Sequence, residues 1–254
     1  MRDIKVFSYG AVFALFFALA SAMFINRYAY GTHDHTIMVP YVKSYADSRL
    51  YPGDRTVEQK KHYYTVLWPA AGLLTRIAGA DVSRLFFVLY LASLWGMFFA
   101  AYLIARSLSG SDPPALLAMF LFLFSKFTFA ETSTIHPLFV TKTLAFPLAV
   151  LSLYFRLEKA EMKSFVFQGL AFLVSPLIGI YVSIMIAASY LVSREKTSPG
   201  KVILKYSALF AIASPVLAWK LLDVMPAPAG EWNSAWISLL RMKSPHHFPF
   251  NWGA

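Results

Sequence analysis

The sequence contains no cysteine, so it forms neither disulfide bonds nor thiolate metal sites. It is also poor in charge: charged residues make up 14% of its 254 residues, whereas an average soluble domain has about 25%. That is too little charge to cover a water-facing surface. Several short catalytic motifs are absent as well, namely a glycine-rich phosphate loop, a nucleophile elbow, an HExxH zinc motif and a CxxC pair. These absences exclude the familiar enzyme classes that such motifs mark.

The apolar residues are concentrated in long runs. Hydrophobic residues make up 58% of the chain, and the mean hydropathy is +0.55. Six runs are nearly free of charge, at residues 6–25, 85–105, 113–124, 137–155, 165–192 and 202–222. Several of them reach the roughly 20 residues that a helix needs to cross a bilayer. The sequence therefore predicts an all-α fold in which residues 1–254 form a single polytopic transmembrane domain.

Basic residues predict which end of each span faces the cytoplasm. A net charge of +10 would suggest a nucleic-acid partner in a soluble protein, but lysine and arginine in short cytoplasmic loops explain it here, so we expect no nucleic acid. Arg2 and Lys5 place the N-terminus of this multi-pass protein of the cell membrane in the cytoplasm.

Ala20-Ser21-Ala22 resembles a signal-peptidase site, but the apolar run exceeds the usual signal core of about 15 residues. We therefore favour an uncleaved first span.

The run at residues 165–192 has two interpretations. As one long helix it would place the basic residues that follow it outside, against the positive-inside rule. Pro176, near its middle, indicates a break. A short helix, a turn at Ser175-Pro176 and a full return helix keep every basic loop inside, and the short helix must then pack within the protein. We therefore expect about seven spans, some short, with an outer C-terminal segment at about residues 223–254.

The first outer loop, at about residues 28–83, is too long to be a simple connector. Apolar residues recur at helical spacing over residues 37–50, which is typical of a helix lying on the membrane surface, with Pro40 in its first turn. A second half-buried segment is predicted at residues 63–77. All six histidines fall on the outer side in this topology. Any chemistry is therefore expected at the outer face.

Asp34, flanked by His33 and His35, lies where the first span meets the surface helix. Its carboxylate could act as a general base, or could bind a divalent metal together with the neighbouring imidazoles. A third interpretation is that Asp34 and Thr36 only cap the helix. His246 and His247 are two further candidates for binding a metal, and the only support for them is that they are adjacent in the sequence.

Lys142 lies close to the start of the fourth span. An ionisable group inside a span usually faces a cavity or a partner, so we expect Lys142 to hold the phosphate of a lipid-linked substrate. The alternative is a lysine that snorkels to the outer headgroups. Four other polar residues of the outer side are candidates for substrate binding: Glu131, His136, His35 and Asp54. Lys220 and Asp223, three residues apart, are expected to pair with each other.

Short motifs along most of the chain resemble those of the C-type glycosyltransferase superfamily (GT-C), the polytopic enzymes that use polyprenyl-phosphate sugars. The resemblance is closer to a group of prokaryotic membrane proteins of unassigned function related to that superfamily. The motifs are Asp34-His35 with Pro40, residues 47–54 (DSRLYPGD), Trp68-Pro69, His136-Pro137 with Lys142, residues 169–176 (GLAFLVSP) and residues 245–248 (PHHF).

This resemblance implies roles for two residues. The acidic residue early in the first outer loop is the usual catalytic base of the superfamily, and Asp34 occupies that place. Basic residues near the outer membrane surface commonly hold the lipid phosphate there, a role that suits Lys142. Because the chain stops soon after an outer segment, we expect it to be the N-terminal part of a longer protein, acting with a C-terminal half or a partner subunit.

Three hypotheses for function follow. The first is a GT-C-like glycosyltransferase, or its N-terminal half, that moves a sugar from a polyprenyl-phosphate donor to an acceptor at the outer face with inversion. The second is a non-enzymatic lipid-binding or assembly protein on the same scaffold. The third is a transporter, which would need polar groups near the midplane and inverted repeats, and neither is evident in the sequence. The first hypothesis requires Asp34 and Lys142 to open on one cavity, whereas the second does not.

Overall fold

The computed structural model describes residues 2–124, 134–193, 199–223 and 238. Over these residues the chain forms ten α-helices and no strand, which confirms the predicted all-α class. The helices are α1 (Arg2–Ala20, continued by a π-helical turn at Ser21–Ile25), α2 (His35–Ala46), α3 (Arg55–Glu58), α4 (Leu67–Ala78), α5 (Val82–Ser109), α6 (Asp112–Leu123), α7 (Thr141–Leu157), α8 (Glu161–Val174), α9 (Pro176–Ser193) and α10 (Pro199–Leu222).

Among the described residues, two helical segments are long and apolar enough to cross a bilayer, at Ser8–Ile25 and Val82–Ser109. The second has 28 residues and is about 42 Å long at 1.5 Å per residue, which exceeds the hydrocarbon thickness of about 30 Å. Helix α6 and the first part of α9, Pro176–Tyr190, are apolar but shorter. The predicted count of about seven spans therefore goes beyond what helix length and composition establish.

Helix α5 lies at the centre of the bundle and packs against α1, α6 and α7. The α1 contact is close, because a Cβ atom on Gly10 would lie 2.2 Å from the ring of Tyr102. The indole of Trp95 donates a hydrogen bond to the carbonyl oxygen of Ala11 at 3.0 Å. At the end of α5 the hydroxyl of Tyr102 donates to Asp112 at 2.7 Å, which fixes the start of α6.

Helices α8 and α9 form an antiparallel hairpin, as the sequence predicts. Helix α8 ends at Val174, and α9 begins at Pro176. Three contacts between residues at equal distances from the turn show the antiparallel arrangement: Phe172 against Gly179, Gln168 with Ser183, and Glu161 with Tyr190. The proline thus breaks the apolar run into two helices that pack on each other, with α8 also packed between α7 and α10.

A buried polar cluster joins four helices at the other end of this hairpin. The guanidinium of Arg156 on α7 donates to Glu161 on α8 at 3.2 Å and to Ser189 on α9 at 3.1 Å. Its Cζ lies 3.9 Å from the ring centroid of Tyr190. Lys205 on α10 also pairs with Glu161. One carboxylate therefore binds cations from two different helices.

The segment between α1 and α5 folds into α2 and α4, which pack on each other. A Cβ on Gly72 of α4 would lie 2.4 Å from the side chain of Tyr45, so the two helices are nearly in backbone contact. A helix is present where the sequence predicts one at residues 37–50, but it begins at His35 and ends at Ala46. Pro40 is therefore its sixth residue, and the prediction that Pro40 lies in the first turn is wrong.

Candidate active site

The segments that precede α2 and α7 are held side by side by two hydrogen bonds. The backbone N–H of Ala29 donates to the carbonyl oxygen of Pro137 at 2.8 Å. The Nε2 of the His35 ring lies 2.9 Å from the carbonyl oxygen of Phe139. These two bonds place Asp34, immediately before α2, beside the first turn of α7, which carries Lys142.

His35 is fully buried, and both of its ring nitrogens are used within the chain. Its Nδ1 accepts the backbone N–H of Gly31 at 3.2 Å, so the proton lies on Nε2 and is donated to Phe139. The ring packs edge-on against Phe86, with centroids 5.1 Å apart. Burial lowers the pKa of His35, which keeps the ring neutral. The fold thus gives His35 a packing role and leaves it no free nitrogen for a substrate or a metal.

The side chain of Asp34 is exposed and makes no capping hydrogen bond to α2. The interpretation of Asp34 as a capping side chain is therefore wrong; the hydroxyl of Thr36 instead donates to the carbonyl oxygen of His33. His33 itself has a φ of 47°, in the left-handed region that only a few per cent of non-glycine residues adopt.

Asp34 and Lys142 line the same cavity, whose volume is about 460 Å³. One part of its wall is polar and consists of these two residues with His62, Tyr63, Tyr64 and Thr141. Another part is apolar and comes from the α8–α9 turn, with Val174, Pro176, Leu177 and Ile178. The N-terminus of α9 lies at this turn, and its dipole favours negative charge there. The cavity therefore offers a carboxylate, an ammonium group and an apolar surface to one ligand.

His136 lies next to Lys142, on a separate small cavity of about 20 Å³ that Ser93 also lines. This is room for a single water molecule. Within the part of the chain that the structure describes, the buried Nδ1 of His136 has no hydrogen-bond partner. Burial, and then the positive charge of Lys142, lower the pKa of His136 to about 4. His136 is thus neutral at pH 7 and lies behind Lys142 rather than on the larger cavity.

The other predicted site residues lie elsewhere. Asp54 caps α3, where its carboxylate accepts the backbone N–H groups of Thr56 at 2.8 Å and Val57 at 3.2 Å. His33 is exposed and does not line the cavity. Over residues 2–124, 134–193 and 199–223 no group of three or more histidine, aspartate or glutamate side chains could hold a metal. Three predicted residues lie outside the described residues: Glu131, His246 and His247.

Two cavity residues, His62 and Tyr64, and their shared partner Asp223 were missed in the sequence. The Nδ1 of His62 lies 2.5 Å from Oδ2 of Asp223, at the end of α10, and the hydroxyl of Tyr64 donates to the same oxygen at 2.5 Å. Lys220, expected to pair with Asp223, instead donates to the hydroxyl of Tyr64 at 3.2 Å. Nothing in the sequence links residues 161 positions apart, and only the packing of α10 brings them together.

Comparison of the chain with models of protein families, with curated proteins and with solved structures gives no match.

Proposed function

We propose that the chain is a GT-C-like membrane glycosyltransferase, or its N-terminal half, that uses a polyprenyl-phosphate-linked sugar at the outer membrane face. The observation that carries the proposal is the shared cavity of Asp34 and Lys142, with an apolar wall beside them. A polyprenyl-phosphate sugar has the matching chemistry, because it joins a polar sugar and a phosphate to an apolar chain.

Each of the two charged residues has one task in the reaction. The carboxylate of Asp34 takes the proton of the acceptor hydroxyl as the acceptor oxygen bonds to the anomeric carbon of the sugar. The bond between that carbon and the phosphate oxygen breaks, and its electron pair leaves with the polyprenyl phosphate. The ammonium group of Lys142 stabilises the negative charge of this leaving group. A single displacement of this kind inverts the anomeric carbon.

The apolar surface of the molecule supports a multi-pass arrangement in the cell membrane. Phe16 on α1, Ile184 on α9 and Phe210 on α10 are each more than half exposed. Further large apolar side chains are exposed on the same helices and on α6: Val12, Leu117, Phe120, Leu121, Leu177, Ile180, Met185 and Leu204. Soluble monomers rarely expose apolar patches of this extent. Lipid around α9 would also admit the prenyl chain to the apolar side of the cavity.

Native mass spectrometry of the detergent-purified protein with added polyprenyl phosphate tests the proposal. Wild type is expected to retain the lipid, and Lys142→Ala to retain it about 10- to 100-fold more weakly, because a charge-assisted hydrogen bond contributes about 1.5–3 kcal/mol. Asp34→Asn is expected to retain the lipid as wild type does, because Asp34 acts on the acceptor. Lys43→Ala is the matched control, since Lys43 is an exposed lysine of α2 that does not line the cavity.

The outcomes separate the proposal from its alternatives. Loss of retention in Lys142→Ala alone supports a phosphate site and justifies a search for the sugar with Asp34→Asn as the inactive variant. Equal retention by all four proteins, or none by any, would overturn the phosphate site and leave Lys142 as a membrane anchor. A phosphate site with no transfer of any polyprenyl-linked sugar would instead favour a lipid-binding or assembly protein.

A further inference from the structure

Helix α4 is apolar on two opposite sides, and only one of them is covered. The covered side consists of four buried residues: Leu67, Trp68, Ala71 and Gly72. The opposite side consists of four exposed residues at helical spacing: Ala70, Leu73, Leu74 and Ile77. Leu73 is 54% exposed, Leu74 49% and Ile77 75%. The hydrophilic residues of α4 are Thr75 and Arg76 alone, so the exposed side lacks the polar residues that a water-facing side carries.

This pattern differs from that of an ordinary surface helix. A helix on the surface of a soluble domain buries one apolar stripe and turns polar residues to water, whereas a helix that is apolar all round is buried. Helix α2 follows the first pattern more closely, because its large apolar residues Met38, Tyr41 and Val42 are all buried. Of the two helices in this segment, α4 is therefore the one whose second apolar side requires a cover.

The position of α4 in the chain indicates that lipid supplies this cover. Three residues separate the end of α4 at Ala78 from the start of α5 at Val82, and such a link reaches at most about 14 Å. With α5 crossing the bilayer, α4 lies within that distance of the membrane surface. At 12 residues it is about 18 Å long, too short to cross the bilayer itself. Helix α4 therefore lies on the membrane rather than across it.

The first turns of α5 carry the apolar surface further. Val88 is 60% exposed and lines an entirely apolar groove between α1 and α5, the two helices long enough to cross a bilayer. Phe87 beside it is 36% exposed. Exposed apolar side chains thus occur on α4 and again within two turns of the start of α5, which is the pattern of one continuous lipid contact.

The charges on this part of the surface also match a bilayer. Arg76 lies next to Ile77 and is exposed, and so is Arg84 in the first turn of α5. A long arginine side chain can keep its charged end in the headgroup layer while the residues beside it meet apolar surface, and a guanidinium group binds phosphate well. A protein that covered the exposed side would need a carboxylate for Arg76, whereas a lipid headgroup already carries the phosphate.

We propose that the exposed side of α4 is a membrane-contact surface, with Leu73, Leu74 and Ile77 inserted into the outer leaflet and Arg76 among the lipid phosphates. The partner is the lipid bilayer itself. This inference goes beyond the proposed transfer reaction, because none of these residues lines the cavity. It rests on the proposed membrane location of the chain and on no property of the substrate.

The contact sets the depth of the cavity in the membrane. The hydroxyl of Thr65 donates to the carbonyl oxygen of Val174 at 2.6 Å, and the backbone N–H of Val66, the residue before α4, donates to that of Leu173 at 3.3 Å. The start of α4 is therefore tied to the α8–α9 turn, which forms the apolar wall of the cavity. A helix that lies at the headgroup boundary holds this wall at the same level.

Depth-dependent fluorescence quenching in nanodiscs of phosphatidylcholine and phosphatidylglycerol tests the inference. Leu74→Cys and Ile77→Cys each place one thiol in the cysteine-free chain, to be labelled with an environment-sensitive fluorophore. Both are expected to show blue-shifted emission and to lose most of their fluorescence to lipids with a nitroxide near the top of the acyl chain. A nitroxide at the chain end should quench them less, because an interfacial helix lies only about 5–10 Å deep. Both residues are exposed, so neither change removes a buried contact.

Two labelled variants serve as controls. Val88→Cys, on the exposed apolar side of α5, should be quenched wherever the protein is correctly inserted. Ser48→Cys, exposed between the charged residues Asp47 and Arg49, should keep water-like emission.

Each remaining outcome overturns a defined part of the argument. Water-like emission at both α4 positions with quenching at Val88→Cys overturns the contact surface and leaves the membrane location intact. Blue-shifted emission that no nitroxide lipid quenches means that a protein, such as a second copy of the chain, covers α4, and this also overturns the inference. Absence of quenching at Val88→Cys as well overturns the membrane location itself. Lipid retention by Lys142→Ala reports on the cavity alone, so the phosphate site and the contact surface can fail separately.

Discussion

The imidazole of His35 donates a hydrogen bond to the carbonyl oxygen of Phe139, 104 residues further along the chain, at 2.9 Å. This bond joins the start of α2 to the segment just before α7. Since Asp34 precedes His35 and Lys142 follows Phe139 by three residues, this buried contact, together with the hydrogen bond from Ala29 to Pro137, sets the relation between the two charged groups of the cavity.

Replacement of His35 is expected to destabilise the protein and to disturb the cavity. In His35→Leu the buried carbonyl oxygen of Phe139 loses its partner inside the protein, at a cost of about 1–3 kcal/mol. Thermal unfolding in detergent should show a lower Tm, and retention of polyprenyl phosphate should fall with it. His33→Asn is the control, because His33 is exposed and asparagine tolerates its left-handed backbone. An unchanged Tm in His35→Leu would contradict the packing role.

The sequence predicts the helices better than it predicts the site. Proline at position 176 and the surplus of basic residues after position 193 were enough to predict the α8–α9 hairpin, because helix breaking and charge placement are local effects. The class of fold follows from composition. The start of α2 was predicted two residues late, since the pattern of apolar residues does not show that His35 is buried.

The site depends on contacts that have no local signal. Asp34 and Lys142 were predicted from separate local patterns, and the hydrogen bonds from Ala29 to Pro137 and from His35 to Phe139 bring them to one cavity. The pairing of Asp223 with His62 replaces the expected i, i+3 pair with Lys220. Helical spacing favours that local pair by only a few tenths of a kcal/mol, so a tertiary contact easily outweighs it.

The stability of the protein is expected to depend on His136 below neutral pH. Its pKa is about 4 in the folded state, against an ordinary histidine pKa of about 6.5. The unfolded chain therefore binds the proton more readily, and this contribution to stability is complete above about pH 6.5 and is lost as the pH falls toward 4. His136→Asn should show a smaller fall in Tm between pH 6.5 and pH 4 than wild type. His35, whose pKa is also lowered, accounts for part of the slope that remains. Identical slopes in the two proteins would be inconsistent with a buried, neutral His136.

Removal of the Glu161 carboxylate shared by Arg156 and Lys205 is expected to destabilise the bundle where α7, α8, α9 and α10 meet. The side chain of Arg156 is 9% exposed, and breaking a buried ion pair by removing one partner costs about 3 kcal/mol or more. Glu161→Gln should therefore unfold at a markedly lower denaturant concentration in mixed micelles. Glu158→Gln, which changes an exposed glutamate just after α7, should stay within about 0.5 kcal/mol of wild type. If the two variants unfold together, the cluster contributes little to stability.

The absence of cysteine allows a direct test of the predicted topology, because any single cysteine that is introduced is labelled without background. Ser48, after α2, and Ser109, at the end of α5, are both exposed, and the change from serine to cysteine is small. A membrane-impermeant maleimide is expected to label Ser48→Cys in intact cells, because the predicted topology places the segment between α1 and α5 outside. Ser109→Cys should be labelled only after the cells are permeabilised, because the same topology has α5 return the chain to the cytoplasm. Equal labelling of both variants in intact cells would mean that α5 does not cross the membrane. The proposal of a site for a lipid substrate at the outer face would then be wrong.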